Sequence, residues 1–208
     1  MIKILFVCYA NQSRSPLAKG LFKKLVNDAG VEDSFLIESR GIWVEKKNSQ
    51  TDPEIIKRLT VLNAPYDGMV AQKMKQQDYR DFDFIICMDD KNEIYLKKHA
   101  GIYRDKVYLV RDIKQETKRQ NILDPFETLE YDQMTNMLYE SLSEWLEMFK
   151  ISKLSKAIDV EDYRITNKPA FLLNPNWYIW NHEIQRYELT RSASDEAISS
   201  HKAFYEEE

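Results

Sequence analysis

Cys8 and Arg14 stand six positions apart in the run Cys8-Tyr9-Ala10-Asn11-Gln12-Ser13-Arg14-Ser15-Pro16, directly after the apolar stretch 2–7 (IKILFV). A thiol and a guanidinium at that spacing, in a loop between a strand and a helix, are suited to attack on a phosphate ester. A phosphate dianion needs donors on several oxygens at once. Consecutive backbone N–H groups of residues 9–13, in a loop that opens a helix, form a concave nest, and the helix dipole adds positive potential. Arg14 closes that cradle, because its planar fork can bond two oxygens where lysine offers a point charge. The same field favours a sulfur anion at Cys8, the form that attacks phosphorus in line. Ser15 is placed to donate to the sulfur. Asn11 can brace the loop through its amide and tolerates the positive φ of a tight turn that lacks glycine. Taken alone, Cys8 reads equally well as a small buried hydrophobe at a strand end. The Arg14-Ser15 pair and the strand-loop-helix context favour the nucleophile.

A leaving phenolate needs a proton. Asp124, in Ile122-Leu123-Asp124-Pro125-Phe126, is the candidate general acid, and afterwards the base for water. It follows the fourth apolar run, in a loop able to reach over the strand ends. A lone Asp-Pro more often marks only a turn. Tyr9 follows the nucleophile and is expected to flank the mouth of the cradle, with Trp43 and Phe126 as further pocket walls. Aromatic walls suit a phenyl ring, so phosphotyrosine is the favoured substrate; ordinary packing is the competing explanation for Trp43 and Phe126.

The elements that must position these groups are legible as alternating strands and helices. Residues 2–7 read as a buried parallel strand. Leu17, Leu21, Phe22 and Leu25 recur at helical spacing after Pro16, which is tolerated in a first turn. Residues 34–38, 83–88 and 107–110 are further short strands. Thr51-Asp52-Pro53-Glu54 is a helix start, continued by Ile55, Ile56, Leu59 and Leu62. Asp89 ends the third strand and can cap the helix carrying Ile94, Tyr95 and Leu96. Leu129, Met134, Leu138, Leu142, Trp145 and Phe149 lay out one face of a long last helix. This order predicts an α/β fold, a doubly wound four-stranded parallel sheet flanked by helices, with ligands bound beyond the carboxyl ends of the strands. Residues 1–150 form the expected catalytic domain. Residues 151–208 are rich in aromatics and lack a strong strand signal. They are expected to be a mainly helical or irregular extension, its Trp/Tyr cluster packed on the catalytic domain or on a partner, with a solvated Glu206-Glu207-Glu208 tail.

The 208 residues carry a net charge of −4 and are 43% hydrophobic, enough for a core and without a basic block for nucleic acid. The two cysteines, Cys8 and Cys87, cannot make a disulfide framework and suit a reducing cytosol; scattered His99, His182 and His201 argue against a metal site. No run has the length of a membrane span, and the N-terminal apolar run is too short for a signal peptide. No cofactor is called for, and the oligomeric state is not legible.

Cys8 through Pro16, together with Asp124-Pro125, resembles the low-molecular-weight protein tyrosine phosphatase family, whose pattern is a cysteine, five residues and Arg-Ser-Pro near the N-terminus, with an Asp-Pro acid loop far downstream. Ser39-Arg40-Gly41 looks like that family's Ser-Ala-Gly segment, and residues 81–89 followed by Asn92 like its third strand and turn. The resemblance covers residues 1 to about 149. It implies Cys8 as nucleophile, Arg14 as phosphate binder, Asp124 as general acid, and Asn11, Ser15 and Ser39 as a supporting hydrogen-bond network. It also implies a phosphotyrosine protein or peptide as partner, a bacterial tyrosine kinase being one candidate. Ala10 stands where the family usually has glycine, Ser13 where many eukaryotic members carry a second cysteine, and Arg40 where a small residue is usual. The bulk of Tyr9 argues against the related subgroup that dephosphorylates arginine. Two rival readings remain: arsenate reduction, which needs further thiols, and a phosphotyrosine-binding module without turnover.

Overall fold

The computed structural model describes residues 1–114, 117–151, 171–173, 176–181 and 186–190. Two compact units divide the chain, Met1–Glu147 and Met148–Glu208.

In the first unit, β1 (Ile2–Cys8), β2 (Phe35–Gly41), β3 (Phe84–Cys87) and β4 (Val107–Leu109) form one sheet in the order β2-β1-β3-β4. Every pairing is parallel, with Phe6 opposite Ser39 on one side and Ile86 on the other. The expected doubly wound sheet is therefore the observed one. The strand from residue 34 runs longer than its apolar stretch, through Ser39-Arg40-Gly41, because pairing with β1 continues to the Cys8–Gly41 partners. The runs at 83–88 and 107–110 are shorter strands than their apolar lengths predict.

Alternation along the strands assigns the two faces. Leu5, Val7, Ile85, Cys87, Val107 and Leu109 bury on one side against Tyr79 of α3 (Gln76–Asp81) and Leu96 of α4 (Asp90–His99). The other side packs on α1 (Arg14–Asp28) and α6 (Tyr131–Ile151). There the rings of Phe6 and Phe22 meet edge to face at 5.7 Å, and Trp145 meets Phe84 at 6.1 Å. Trp145 is fully buried, and its indole N–H donates to the Val110 carbonyl at 2.9 Å, so the ring brings no unpaired donor into the core.

The predicted helix start at 51–54 is α2 (Pro53–Val61), with Asp52 as its cap: the carboxylate accepts from the Glu54 N–H at 2.9 Å. The sequence reading left α3 and the four-residue α5 (Pro125–Thr128) unassigned; neither is long enough to show a helical period.

In the second unit strands appear where the sequence shows no strong strand signal. Besides the end of α6, its described residues form an antiparallel sheet of β5 (Phe171–Leu173), β6 (Asn176–Asn181) and β7 (Arg186–Thr190), with Phe171 opposite Tyr178 and Trp180 opposite Tyr187; the rest of the expected mainly helical or irregular extension lies outside the described residues. Aromatic residues favour a pleated surface, so the Trp/Tyr richness noted in the sequence was itself the strand signal. The tail at 206–208 and the packing of the Trp/Tyr cluster lie outside the described residues.

Candidate active site

The carboxyl ends of the parallel strands converge on one place. Cys8 ends β1, Asp89 follows β3, and the loop after β4 returns at Asp124. Because the chain leaves β1 for β2 on one side and then crosses from β2 to β3 on the other, the carboxyl end of β1 is where a doubly wound sheet opens a crevice.

Residues 9–13 curl between β1 and α1. Asn11 holds the curl with φ at 55°, the left-handed conformation that asparagine tolerates. Its side chain is fully used. The amide N–H groups donate to Ser15 Oγ at 2.9 Å and Ser39 Oγ at 3.0 Å, and Oδ1 accepts from the Gln72 N–H at 2.8 Å. One buried side chain thus ties the loop to α1, to β2 and to the segment before α3. Gly41 explains how closely β2 approaches: a Cβ there would lie 2.9 Å from both the Ala10 carbonyl carbon and the Asn11 nitrogen. Gln12 Nε2 donates to Ser49 Oγ at 3.2 Å, and Ser13 Oγ donates to Asp52 at 3.3 Å. Arg40 turns to other groups, donating to the Ser39 carbonyl at 2.8 Å with Glu38 at 3.5 Å.

Cys8 is buried at the bottom of this cradle, and its sulfur is held from two directions. The Asn11 N–H donates to Sγ at 3.3 Å and Ser15 Oγ at 3.0 Å. Arg14, 5% exposed, is held by two carboxylates: Asp89 takes one terminal nitrogen and Asp124 the other, each at 2.6 Å. Both aspartates are also helix caps. Asp89 Oδ1 accepts from the Asn92 N–H at the start of α4 at 2.6 Å, and Asp124 Oδ1 from the Phe126 N–H at the start of α5 at 3.2 Å. Each carboxylate gives one oxygen to a helix end and the other to the guanidinium. The fork is thereby fixed in direction while further N–H groups stay available for a phosphate. Burial opposes the Arg14 charge, but the Cys8 sulfur and the carboxylates of Asp124 and Asp89 together outweigh it, and the guanidinium titrates above its ordinary range.

A cavity of about 530 Å³ opens on this group, lined by Arg14, Asp89 and Asp124 together with Tyr9, Asn92 and Tyr95, among others. Of the three aromatic walls expected, Tyr9 lines it. Trp43 and Phe126 do not; they are 57% and 63% exposed. The Trp43 N–H donates to the Tyr9 carbonyl at 2.8 Å, which places the two residues side by side at the rim. Two contributors escaped the sequence reading. Asp89 was seen only as a helix cap, although a carboxylate directly beyond the end of a central parallel strand is already at the ligand-binding edge. Tyr95 was seen only as part of an apolar helix face. Among the described residues, no group of three or more His, Cys, Asp or Glu is placed to hold a metal ion. No helix among them is long and apolar enough to cross a membrane.

The fold and the cradle together define a class, a parallel α/β protein with an oxyanion nest and a cysteine at the carboxyl edge of its first strand. Residues 3–158 match the family model of low molecular weight phosphotyrosine protein phosphatases, and the chain belongs to that family. It is similar to the low molecular weight protein-tyrosine-phosphatase YfkJ of Bacillus subtilis, 31% identical over 143 residues that span 66% of this chain and 89% of that protein. The crystal structure of YfkJ superposes with a TM-score of 0.70 at 27% identity, covering 74% of this chain and 97% of YfkJ. YwlE of Bacillus subtilis is similar too, with a TM-score of 0.65 at 25% identity over 72% of this chain and 99% of YwlE. A second solved form of YwlE is described as an arginine phosphatase with a phosphorylated active-site serine.

Proposed function

We propose that residues 1–150 are the catalytic domain of a protein tyrosine phosphatase that works through a cysteinyl-phosphate. The observation that carries this reading is the meeting at Arg14 of the Asp124 carboxylate, bonded to it at 2.6 Å, and a doubly hydrogen-bonded Cys8 sulfur near enough to favour its charge, with Arg14 and Asp124 lining one cavity. A phosphoryl group enters the nest of residues 9–13 and takes the place of Asp124 on the guanidinium. Its negative charge beside Asp124 is the condition under which that carboxyl carries a proton. The Cys8 thiolate attacks phosphorus, the P–O bond to the tyrosyl oxygen breaks, and Asp124 gives its proton to the departing phenolate. Water then attacks the phosphocysteine and passes a proton to Asp124. The S–P bond breaks, sulfur leaves as thiolate, and inorganic phosphate is released. The Asn11 N–H and the Ser15 hydroxyl, both already on the sulfur, stabilise it as leaving group.

Tyr9, immediately beside the nucleophile and on the cavity wall, supports a phenyl ring as the leaving side chain. A thiolate chemistry of this kind fits a reducing compartment such as the cytoplasm, with phosphotyrosine proteins, a bacterial tyrosine kinase among them, as partners. Arsenate reduction would ask Cys87 to act as a second thiol. It is fully buried in β3 and donates to the Tyr108 carbonyl at 3.2 Å. Burial, reinforced by the carboxylates of Glu93 and Asp89, pushes its thiol well above the usual range. Residues 151–208 are read as an accessory extension.

The test is turnover of aryl phosphates with graded leaving groups. Cys8→Ser should abolish phosphate release while the protein stays folded. Asp124→Asn should slow poor leaving groups by roughly 10²- to 10⁴-fold and good ones far less, since only the poor ones need the proton. Release of phosphate by Cys8→Ser at a rate near that of the parent would reject the covalent route. Faster turnover of phosphoarginine than of phosphotyrosine would move the substrate assignment.

A further inference from the structure

Three carbonyls of the cradle are taken by donors outside it. The N–H groups of Ile42, Trp43 and Asp52 donate to the carbonyls of Cys8, Tyr9 and Gln12 at 3.0, 2.8 and 3.0 Å. A trans peptide group points its carbonyl and its N–H in opposite directions. Drawing these carbonyls toward residues 42–52 therefore turns the N–H groups of Tyr9, Ala10 and Ser13 the other way. An anion nest needs its donors aimed before the anion arrives.

The first two bonds continue the pairing of β1 with β2, in which Cys8 lies opposite Gly41. The third has no strand behind it and depends on Asp52, which the sequence shows only as a helix start. Asp52 holds the cradle at two points. Its N–H takes the Gln12 carbonyl, and its Oδ2 accepts from Ser13 Oγ at 3.3 Å. Asp52 is itself held at two points. Oδ1 accepts from the Glu54 N–H at 2.9 Å, and Oδ2 accepts from the Tyr131 hydroxyl, also at 2.9 Å. Tyr131 is the first residue of α6, 79 positions from Asp52, and no step of the phosphatase chemistry uses it. Its ring is fixed as well. The Arg58 guanidinium lies 4.8 Å from the ring centroid and donates to Glu54 of α2 at 2.7 Å and to Asp132 of α6 at 2.8 Å. Capping α2 needs only Oδ1. The second oxygen, with two hydroxyls on it, is what joins α6 to the cradle.

We propose that Asp52 and Tyr131 are positioning residues for the phosphoryl cradle. Tyr131 fixes the Asp52 carboxylate, and Asp52 fixes the Gln12–Ser13 peptide so that the Ser13 N–H meets a phosphoryl oxygen. The inference rests on the phosphatase reading and adds to its cradle a support that does not itself touch the substrate.

Two substitutions separate this role from capping. Tyr131→Phe keeps the ring under Arg58 and deletes only the hydroxyl. Asp52→Ser keeps a good helix cap but is too short to reach Tyr131. Each is compared with the parent protein for affinity toward inorganic phosphate by calorimetry, for kcat/KM on aryl phosphates with good and poor leaving groups, and for Tm. Tyr131→Phe should weaken phosphate binding and lower kcat/KM together, by about fivefold, the weight of one hydrogen bond, and equally for good and poor leaving groups. Asp52→Ser should lose about tenfold, because bonds to a charged acceptor are stronger. The double substitution should lose no more than Asp52→Ser alone, since the hydroxyl acts only through that carboxylate. Parent-like phosphate affinity and kcat/KM in Asp52→Ser leave Asp52 a cap and overturn the proposal, whatever Tm does. Losses that add in the double substitution, or that fall only on poor leaving groups, overturn it too. A parent protein that binds phosphate without turning over any aryl phosphate overturns the phosphatase reading, and the affinity ratios then decide on the support by themselves. A parent protein that does neither overturns both.

Discussion

The cradle and the acid loop meet at Arg14 but are built in opposite ways. Cys8, Asn11, Ser13, Arg14 and Ser15 are buried under the strand ends: Cys8 is 3% exposed, Ser15 fully buried, and the Asn11 side chain makes three hydrogen bonds to three separate segments. Asp124 instead rides at the start of a helix of four residues, whose Phe126 is 63% exposed and whose C-terminal neighbour Leu129 is 77% exposed and left-handed at φ 59°. The difference follows from what each must do. A nest that stabilises an anion works only if its dipoles are fixed before the anion arrives. Under the proposed mechanism Asp124 is a proton donor, which must let go of Arg14 when phosphate binds and then meet the oxygen of a leaving group. Asp89 belongs to the fixed half, because its helix, α4, runs ten residues and packs on the sheet.

The sharpest way to break this contrast is to change the group the two halves share. Arg14→Lys keeps the charge but cannot serve two carboxylates and a phosphate together. A fall in kcat/KM of roughly 10²- to 10³-fold is expected, the size reported by loss of a preorganised donor. A near-normal rate would mean the fork is dispensable.

Asp89→Asn comes next. Asparagine still caps a helix, so α4 should survive while the grip on Arg14 weakens. As a positioning residue, Asp89 should matter equally for good and poor leaving groups, a loss of about tenfold that contrasts with the leaving-group dependence expected of Asp124→Asn. Matching leaving-group slopes for the two variants would erase the distinction between a positioning carboxylate and the proposed acid.

Gly41→Ala tests the tightness of the cradle. The added methyl meets the Ala10 and Asn11 backbone at 2.9 Å, which cannot yield as a side-chain tip would. A loss of about 1–3 kcal/mol in urea unfolding is expected, the range for overpacked sites, accompanied by a lower kcat. An unchanged midpoint would show that the loop has room to move.

The smallest effect lies away from the site, in the α4 helix. Glu93 is buried; burial alone would raise its carboxyl, but hydrogen bonds from Lys97 and Arg119 outweigh that and hold it below the usual range. A lowered folded-state value adds stability above the unfolded carboxyl range, near ~4.3, and loses it as pH falls through the folded value. The Tm gap between the parent and Glu93→Gln should be present at neutral pH and close below about pH 4. A gap that persisted in acid would assign the loss to packing.

Much of this was readable from residue types. Ile2–Val7 had to be a buried strand, and Cys8, Arg14 and Ser15 had to fall on the turn into α1, because spacing along one short segment leaves little freedom. Asn11 was legible for the same reason. Asp89 was half legible: its capping role is local, but its bond to Arg14 joins residues 75 apart. Trp43 and Phe126 were plausible walls by type, yet their orientation depends on a strand end and a four-residue helix that no periodicity reveals. The aromatic run at 176–180 was read for its bulk and not for its strand propensity.

The sequence by itself determined the Cys8–Arg14 segment, the order of strands and helices, and the parallel α/β class, since these rest on spacing and period within short windows. Only the tertiary structure decided that Asp89 and Asp124 share one guanidinium and that Gly41 makes room for the loop. Those facts depend on where distant segments come to rest, and chain-local preferences carry no information about a contact between residues brought together only when the sheet closes.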